Sequence, residues 1–223
     1  MCLLIVAPDG VKLTKEEIKT ANKNNPHGIG IAYYGINNKM NVIKNIEIKD
    51  AIDFIAELKK TPCIIHFRLA SRGTIEERNC HPFEFNDWVM AHNGTLPIVA
   101  EDGKSDTLTF AEKFRDCSFD ELFELKNDIE NFVGPRNKIC FFHKGGEKYF
   151  IINEKEGFWE NGIWFSNRSH LEKYCSFTKV KYISGLRERI EDLIFIGNVL
   201  NSENNLIRIY EDKRSKEIFY EKI

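Results

Sequence analysis

The 223-residue chain has no excess of positive charge and no long hydrophobic run. Its 32 Lys and Arg residues are balanced by 34 Asp and Glu residues, and the formal net charge is −2. A chain this close to neutral offers no general attraction to phosphates, so nucleic acid is not an expected partner. No apolar run reaches the roughly 18 residues that a membrane-spanning helix needs, so no membrane partner is expected either.

The cysteines show no paired spacing. They are Cys2, Cys63, Cys80, Cys117, Cys140 and Cys175. This set contains no CxxC pair and no Cys/His spacing typical of zinc sites. The first residues, MCLLIVAPDG, also lack the basic region and the full apolar run of a signal peptide. These absences predict a cytoplasmic protein with free thiols and without a metal.

The composition is that of an ordinary globular protein. Hydrophobic residues make up 42% of the chain, and 17 Phe supply bulk for a core. No linker, repeat or low-complexity tract divides the sequence, which predicts a single domain over residues 1–223. Runs of strands separated by blocks of helices predict an α+β fold with two antiparallel sheets covered by helices.

Hydrophobic periodicity places the individual elements. The predicted strands cover residues 2–8, 28–34, 40–44, 62–69, 88–91, 138–143, 148–153, 162–167, 206–211 and 217–222. Thr14 and Glu17 form a capping box that predicts a helix ending near Pro26. The other predicted helices cover residues 49–60, 106–116, 119–133, 168–175 and 186–199.

Cys2 is the strongest candidate for a chemical role. Removal of Met1 would place a thiol and a free α-amine on the same residue. An unperturbed thiol titrates near a pH of about 8.5 and an α-amine near about 8, so the amine accepts the thiol proton at neutral pH without a histidine. The alternative for any single cysteine is a role in packing.

Three further positions carry polar residues that their predicted local structure does not need. Arg68 ends an apolar strand, where it either binds a carboxylate or extends to the surface. Asn93 and Gly94 suit an oxyanion hole, although a plain Asn-Gly turn explains the same spacing. Asp106 stands at a predicted helix start, where it either binds an ammonium group or caps the helix.

The order of these positions resembles a known family. The segments that carry the resemblance are Cys2, NPHGIGIA at 25–32, HFRLASRG at 66–73, NCHPF at 79–83, MAHNGTL at 90–96, SDT at 105–107 and GIWFSN at 162–167. Together they resemble the glutaminase domain of the class II glutamine amidotransferases, which are N-terminal nucleophile hydrolases. The resemblance implies a four-layer αββα fold, with two antiparallel sheets between helical layers.

The resemblance also implies a catalytic set. Cys2 is expected to attack the side-chain amide of glutamine while its α-amine moves the proton. Asn93 and Gly94 are expected to form the oxyanion hole. The implied products are ammonia and a γ-glutamyl thioester, which water converts to glutamate without a metal or an organic cofactor.

The implied substrate-binding set surrounds these residues. Arg68 is expected to bind the α-carboxylate of glutamine and Asp106 its α-ammonium group, with Ser71 and His81 completing the set. There is one departure from the family pattern. Where many members carry a histidine in the loop after the arginine, this chain has Arg72, whose positive charge is able to change which γ-glutamyl compound is accepted.

Three functions remain open at this point. The first is a glutaminase that passes ammonia to a separate synthase subunit, since no acceptor module is recognisable in the chain. The second is a stand-alone hydrolase of larger γ-glutamyl amides. The third is a catalytically inert binding module of the same fold.

Overall fold

A computed structural model describes most of the chain. It covers residues 2–35, 39–100, 103–146, 148–171, 181–182, 193–200, 206–212 and 218–222. Its contacts form two compact units, Met1–Tyr174 and Cys175–Ile223. This division describes packing alone, and the single domain over residues 1–223 stays a prediction.

Within its described residues, the first unit contains ten strands and five α-helices. The strands are β1 (Leu3–Ala7), β2 (Ile29–Tyr34), β3 (Met40–Ile43), β4 (Cys63–Phe67), β5 (Phe83–Phe85), β6 (Trp88–Asn93), β7 (Lys138–His143), β8 (Tyr149–Ile152), β9 (Phe158–Glu160) and β10 (Ile163–Phe165). The helices are α1 (Lys15–Asn24), α2 (Ile48–Glu57), α3 (Asp106–Lys113), α4 (Phe119–Glu124) and α5 (Lys126–Val133). Short 3-10 turns occupy Glu77–Asn79 and Glu154–Glu156.

These elements stack in four layers. One antiparallel sheet has the strand order β3-β2-β4-β1-β10-β9, and the other has the order β5-β6-β7-β8. One apolar cluster packs α1 and α2 on the outer face of the six-stranded sheet, and another packs α3, α4 and α5 on the outer face of the four-stranded sheet. A third cluster lies between the sheets. The predicted α+β fold with αββα layers is therefore confirmed.

Strand periodicity explains how both faces of each sheet are buried. In β1, Leu3 and Ile5 belong to the helix-facing cluster, whereas Leu4 and Val6 belong to the cluster between the sheets. Successive side chains of a strand point to opposite faces, so a strand buried on both faces is apolar throughout. This is why CLLIVAP predicts a strand without any polar alternation.

The helix starts follow the predicted chemistry. Thr14 caps α1, its side chain accepting from the backbone N–H of Glu17 while the Glu17 carboxylate accepts from the backbone N–H of Thr14. The predicted capping box is therefore confirmed. None of the helices that the structure describes has both the length and the apolar character that a bilayer crossing requires.

Two helix predictions are wrong. Residues 119–133 form two helices that meet at Leu125, and the break lets Leu122 and Ile129 both be buried while Leu125 stays partly exposed. In the predicted helix at 186–199, residues 193–199 belong to a strand, β12 (Leu193–Leu200), while residues 186–192 lie outside the described part of the chain. Its sequence LIFIGNVL is rich in β-branched and aromatic residues and contains a glycine, which favours a strand over a helix.

Other boundaries differ less. Residues 168–171 form turns, and the rest of the predicted helix 168–175 lies outside the described residues. The residues between β2 and β3 also lie partly outside them. The short strands β5 and β9 were not predicted, since three residues give too little periodicity to recognise.

The described residues of the second unit form a four-stranded sheet. Its strands are β11 (Lys181–Tyr182), β12, β13 (Leu206–Asp212) and β14 (Ile218–Lys222), in the order β11-β14-β13-β12. The pairs β12-β13 and β13-β14 are antiparallel, whereas β11 pairs with β14 in parallel. The two predicted C-terminal strands are confirmed by β13 and β14.

Gly30 in β2 packs directly against the backbone of His81. A Cβ atom on Gly30 would lie 1.7 Å from the backbone oxygen of His81. We expect Gly30→Ala to lower the free energy of unfolding by about 2 to 3 kcal/mol, because the backbone must move to relieve the overlap. Urea denaturation measures this change.

Gly146→Ala is the matched control. A Cβ atom there would meet the Nδ1 atom of His143 at 3.6 Å, an ordinary contact, so the expected change is within about 0.5 kcal/mol. Equal stability of the two variants would contradict the close approach at Gly30.

Candidate active site

Strand pairing brings Cys2 next to the end of β4. Leu3 pairs with Phe67 in the antiparallel ladder, so Cys2 continues alongside the residues that follow β4. The backbone N–H of Leu69 donates to the Cys2 Sγ at 3.3 Å, and the Cys2 thiol lies 3.5 Å from the Leu69 carbonyl oxygen. The sulfur is thus held at the edge of the sheet and not in the apolar core.

Burial changes the acidity of this thiol. Desolvation raises the pKa of Cys2, and the hydrogen bond from Leu69 and the nearby charge of Arg68 oppose that rise. A thiol with a raised pKa is protonated at neutral pH, so a nucleophilic Cys2 needs a group that accepts its proton.

Arg68 is buried with unused hydrogen-bonding capacity. Its side chain is 3% exposed, and its Nη2 atom donates to the Arg72 carbonyl oxygen at 3.3 Å. Its Nη1 atom has no hydrogen-bond partner in the described part of the chain. Of the two alternatives for Arg68, the structure contradicts the surface arginine. A buried guanidinium with a free donor suits an anionic ligand.

The predicted oxyanion pair, Asn93 and Gly94, lies at the end of β6. The strand includes His92 and Asn93, so it ends two residues later than the predicted strand at 88–91. Gly94 has φ +154°, and a Cβ atom there would lie 2.2 Å from Asn137 Oδ1. Only glycine therefore fits this position without displacing Asn137.

Asp106 is not the helix cap. Ser105 is the N-cap residue of α3, since its hydroxyl accepts from the backbone N–H of Leu108 at 3.1 Å. The Asp106 carboxylate instead accepts from the backbone N–H of Leu96 at 2.7 Å and from that of Thr107 at 2.9 Å. Asp106 thereby fixes the loop after Gly94 against the start of α3.

His81 belongs to a buried group of three histidines. Its ring packs against that of His66 at a centroid distance of 4.1 Å, with 37° between the ring planes, and its Nδ1 atom accepts from the backbone N–H of His92 at 3.3 Å. Burial lowers the pKa of His66 to about 3 and that of His92 to about 4, and it lowers the pKa of His81 well below the usual value. All three rings are therefore neutral at pH 7.

Most of the predicted site residues share one pocket. Six of the seven line it, namely Cys2, Arg68, Ser71, His81, Gly94 and Asp106. The seventh, Asn93, is 1% exposed and is not part of this wall in the described residues. Its Nδ2 atom lies 2.8 Å from the Ser166 hydroxyl. The roles of the seven residues stay predictions.

Sequence reasoning missed several polar residues that hold this pocket together. Asn167 Nδ2 donates to the Cys2 carbonyl oxygen at 2.6 Å, and Asn137 Oδ1 accepts from His92 Nε2 at 3.0 Å. Ser166 contacts both Leu4 and Asn93. The GIWFSN segment pointed to Ser166 and Asn167 by resemblance but gave no role for either side chain.

Comparison with known proteins adds to this geometry. A family model described as glutamine amidotransferases class-II matches residues 12–110, just under half of the chain. The predicted resemblance to this family is confirmed over that segment. No functionally curated protein sequence is similar enough to count as a match.

Two solved structures are similar to the chain. One is a glutamine phosphoribosylpyrophosphate (PRPP) amidotransferase from B. subtilis complexed with ADP and GMP, with 12% identity and a TM-score of 0.48. The match covers 100% of this chain and 49% of that protein, so the chain spans about half its length. The other is a glutamine aminotransferase class-II domain protein from Silicibacter pomeroyi, with 11% identity, a TM-score of 0.34 and coverage of 100% and 99%.

The neutral histidines predict a loss of stability in acid. An unfolded histidine has a pKa of about 6.5, so between pH 6.5 and 4 the unfolded chain binds protons that buried His66 and His92 do not. Above about pH 6.5 these histidines are neutral in both the folded and the unfolded chain, so they do not lower the stability there. Each is expected to lower the free energy of unfolding by up to about 1.4 kcal/mol per pH unit below it.

Urea denaturation from pH 7.5 to 4.5 measures this slope. His66→Gln removes one titrating group, so its stability should fall less steeply with pH than that of the wild type. Parallel curves for the two proteins would contradict a neutral buried His66.

Proposed function

We propose that this chain, whose residues 12–110 match the class II glutamine amidotransferases, cleaves the γ-amide of glutamine through a thioester on Cys2. The products are glutamate and ammonia. The single observation that carries the proposal is the shared pocket. Cys2 and the buried Arg68 both line this pocket, and the Nη1 atom of Arg68 has no partner among the described residues.

The proton chemistry follows from the state of the thiol. Burial keeps Cys2 protonated, so attack on an amide requires a base within reach of the sulfur. The three neighbouring histidines are weak bases, because burial lowers the pKa of each, and hydrogen bonds or ring contacts hold them in place. Once Met1 is removed, the α-amine of Cys2 itself takes the thiol proton and later delivers it to the departing ammonia.

The oxyanion forms when the thiolate adds to the amide carbon. Gly94 lines the pocket, and its backbone N–H serves as one donor, with the side-chain amide of Asn93 as the other. Collapse of this intermediate breaks the C–N bond and leaves a γ-glutamyl thioester. Water then attacks the thioester, with the α-amine again taking the proton, to release glutamate.

Recognition of the amino-acid end uses opposite charges. Arg68 binds the α-carboxylate, and its free Nη1 supplies a donor for it. Asp106 already accepts two backbone N–H groups, and its Oδ1 atom also accepts from the Thr107 hydroxyl, but its Oδ2 atom has a second lone pair for the α-ammonium group. Ser71 and His81 complete the wall around the substrate.

The wider setting is part of the same proposal. The reaction needs no metal or organic cofactor, since each step uses a side chain or backbone group of the pocket. Ammonia is passed to a separate synthase subunit, and the protein works in the cytoplasm with glutamine as its small-molecule partner.

Replacement of the nucleophile tests this proposal. Cys2→Ala is expected to abolish glutamine hydrolysis, and Cys2→Ser to slow it roughly 100-fold or more because a hydroxyl is far less acidic than a thiol. Release of ammonia and glutamate is the measurement, and intact mass reports whether Met1 has been removed. Cys117→Ser, outside the pocket, is the control and should keep full activity.

Two outcomes would contradict it. Hydrolysis retained by Cys2→Ala would exclude Cys2 as the nucleophile, and Met1 retained in active protein would exclude the α-amine as the base. A wild type that turns over no glutamyl amide would favour the inert binding module.

A second pocket favours larger γ-glutamyl amides as an alternative substrate. It adjoins the first through Arg72, which lines both. Its walls continue those of the first pocket and consist of Arg72, Gly73, Thr74, Ile98, Val99, Ala100, Gly103 and Lys104. This space suits a substrate group beyond the glutamyl unit that combines apolar surface with polar atoms.

Substitution in the second pocket separates the two substrates. Val99 is 86% exposed on the wall, so Val99→Asp adds a charge there without disturbing the core. For γ-glutamyl-leucine and similar dipeptides, kcat/KM is expected to fall about 10-fold, an apolar contact being worth roughly 1 to 3 kcal/mol. For glutamine it should stay unchanged. Equal effects on both substrates, or no turnover of the dipeptides, would exclude this alternative.

A further inference from the structure

Ser166 connects the two sheets at the site. It follows β10 and is 3% exposed. Its backbone N–H donates to the Leu4 carbonyl oxygen at 2.9 Å, and its hydroxyl accepts from the Leu4 N–H at 2.8 Å. The same hydroxyl lies 2.8 Å from the side-chain amide of Asn93, which belongs to the other sheet.

The hydrogen atoms at this contact have two possible arrangements. With Asn93 Nδ2 facing Ser166, the hydroxyl accepts two N–H groups, while Asn93 Oδ1 is buried without a partner in the described part of the protein. With Oδ1 facing Ser166, the hydroxyl proton goes to Oδ1 at the same distance. The oxygen and nitrogen of an amide are distinguished only by such a network.

The second arrangement satisfies more groups. The Leu4 N–H is a donor only, so it fixes one lone pair of the Ser166 hydroxyl, and the hydroxyl proton still needs an acceptor. Buried polar atoms are nearly always hydrogen-bonded. If the Asn93 amide is turned, its oxygen accepts the Ser166 hydroxyl proton. The hydroxyl proton and the previously unpaired Asn93 oxygen then both have a partner.

We propose that Ser166 is a positioning residue whose hydroxyl donates to Asn93 Oδ1 and so releases Asn93 Nδ2 to bind the oxyanion beside Gly94. This inference rests on the proposed amide hydrolysis. In the opposite arrangement Ser166 accepts one N–H of Asn93. The Asn93 oxygen then faces away from Ser166, and this oxygen would repel an oxyanion.

The same segment also sets the distance between the oxyanion donor and the nucleophile. Ser166 forms hydrogen bonds with the backbone of Leu4, two residues from Cys2. The next residue, Asn167, donates to the Cys2 carbonyl oxygen. Residues 166–167 therefore touch both the strand that carries the sulfur and the side chain that receives the negative charge. Because Ser166 is buried, bulk water does not compete for its hydroxyl.

Ser166→Ala tests the inference through a kinetic split. The variant is expected to lower kcat for glutamine about 10- to 100-fold, since removal of a whole oxyanion donor costs about 100- to 1000-fold. KM should stay within about twofold, because Arg68 and Asp106 are unchanged. Ser166→Thr, which keeps the hydroxyl, should recover most of the activity.

A double-variant cycle with Asn93→Ala distinguishes positioning from general damage. If Ser166 acts through Asn93, the Ser166→Ala change should cost nothing further in the Asn93→Ala background. Ser169→Ala is the matched control, since Ser169 is also buried in this segment but binds Asn25, and it should leave kcat unchanged. Thermal unfolding checks that each variant is folded.

Three outcomes would overturn the inference: losses that add in the double variant, a loss confined to KM, or an unchanged kcat in Ser166→Ala. Any of these together with an inactive Cys2→Ala protein would reject the role of Ser166 and leave the proposed hydrolysis intact. Activity retained by Cys2→Ala would reject the proposed hydrolysis itself.

Discussion

The packing of one sheet on the other is the constraint on which the site depends. Because side chains alternate along a strand, the even residues of β1 and β4 and the odd residues of β6 face the space between the sheets. The same parity places Cys2, Arg68 and Asn93 at the open end of that space. A register slip of one residue would turn each of them to the wrong face, so the apolar core specifies the site as firmly as it specifies the fold.

The second physical property of the site is the burial of its inner groups away from water. The inner wall of the pocket contains buried polar groups, among them Arg68 and Asp106, and the neighbouring histidines are neutral because desolvation disfavours their charged forms. The same desolvation keeps the Cys2 thiol protonated. A site of this kind has few groups able to move protons, which is why the proposed reaction relies on the α-amine of Cys2, and low exposure to water strengthens every hydrogen bond to a developing charge.

The sequence was informative wherever a signal was local. Apolar runs predicted β1, β4 and β7, the Thr14 capping box predicted the start of α1, and residues such as Arg68 stood out as polar at the end of an apolar strand. Contacts between residues far apart in the chain could not be predicted from the sequence. Ser166 meets Asn93 across 73 positions and Asn167 meets Cys2 across 165, so no spacing rule points to them. The helix prediction at 186–199 failed where helical periodicity was preferred over the β-branched content of the segment.

Arg72 has a consequence for how the substrate range of such a protein can evolve. Its Nη1 atom donates to the Ile98 carbonyl oxygen at 2.9 Å in an exposed position, while its own carbonyl accepts from Arg68. The Arg72 side chain, which lines both pockets, is therefore held by a water-accessible hydrogen bond of modest strength. Replacement of Arg72 by a small residue would open one pocket to the other and leave the proposed nucleophile, the proposed oxyanion donors and the core unchanged, so substrate selectivity could change without a change in the proposed chemistry.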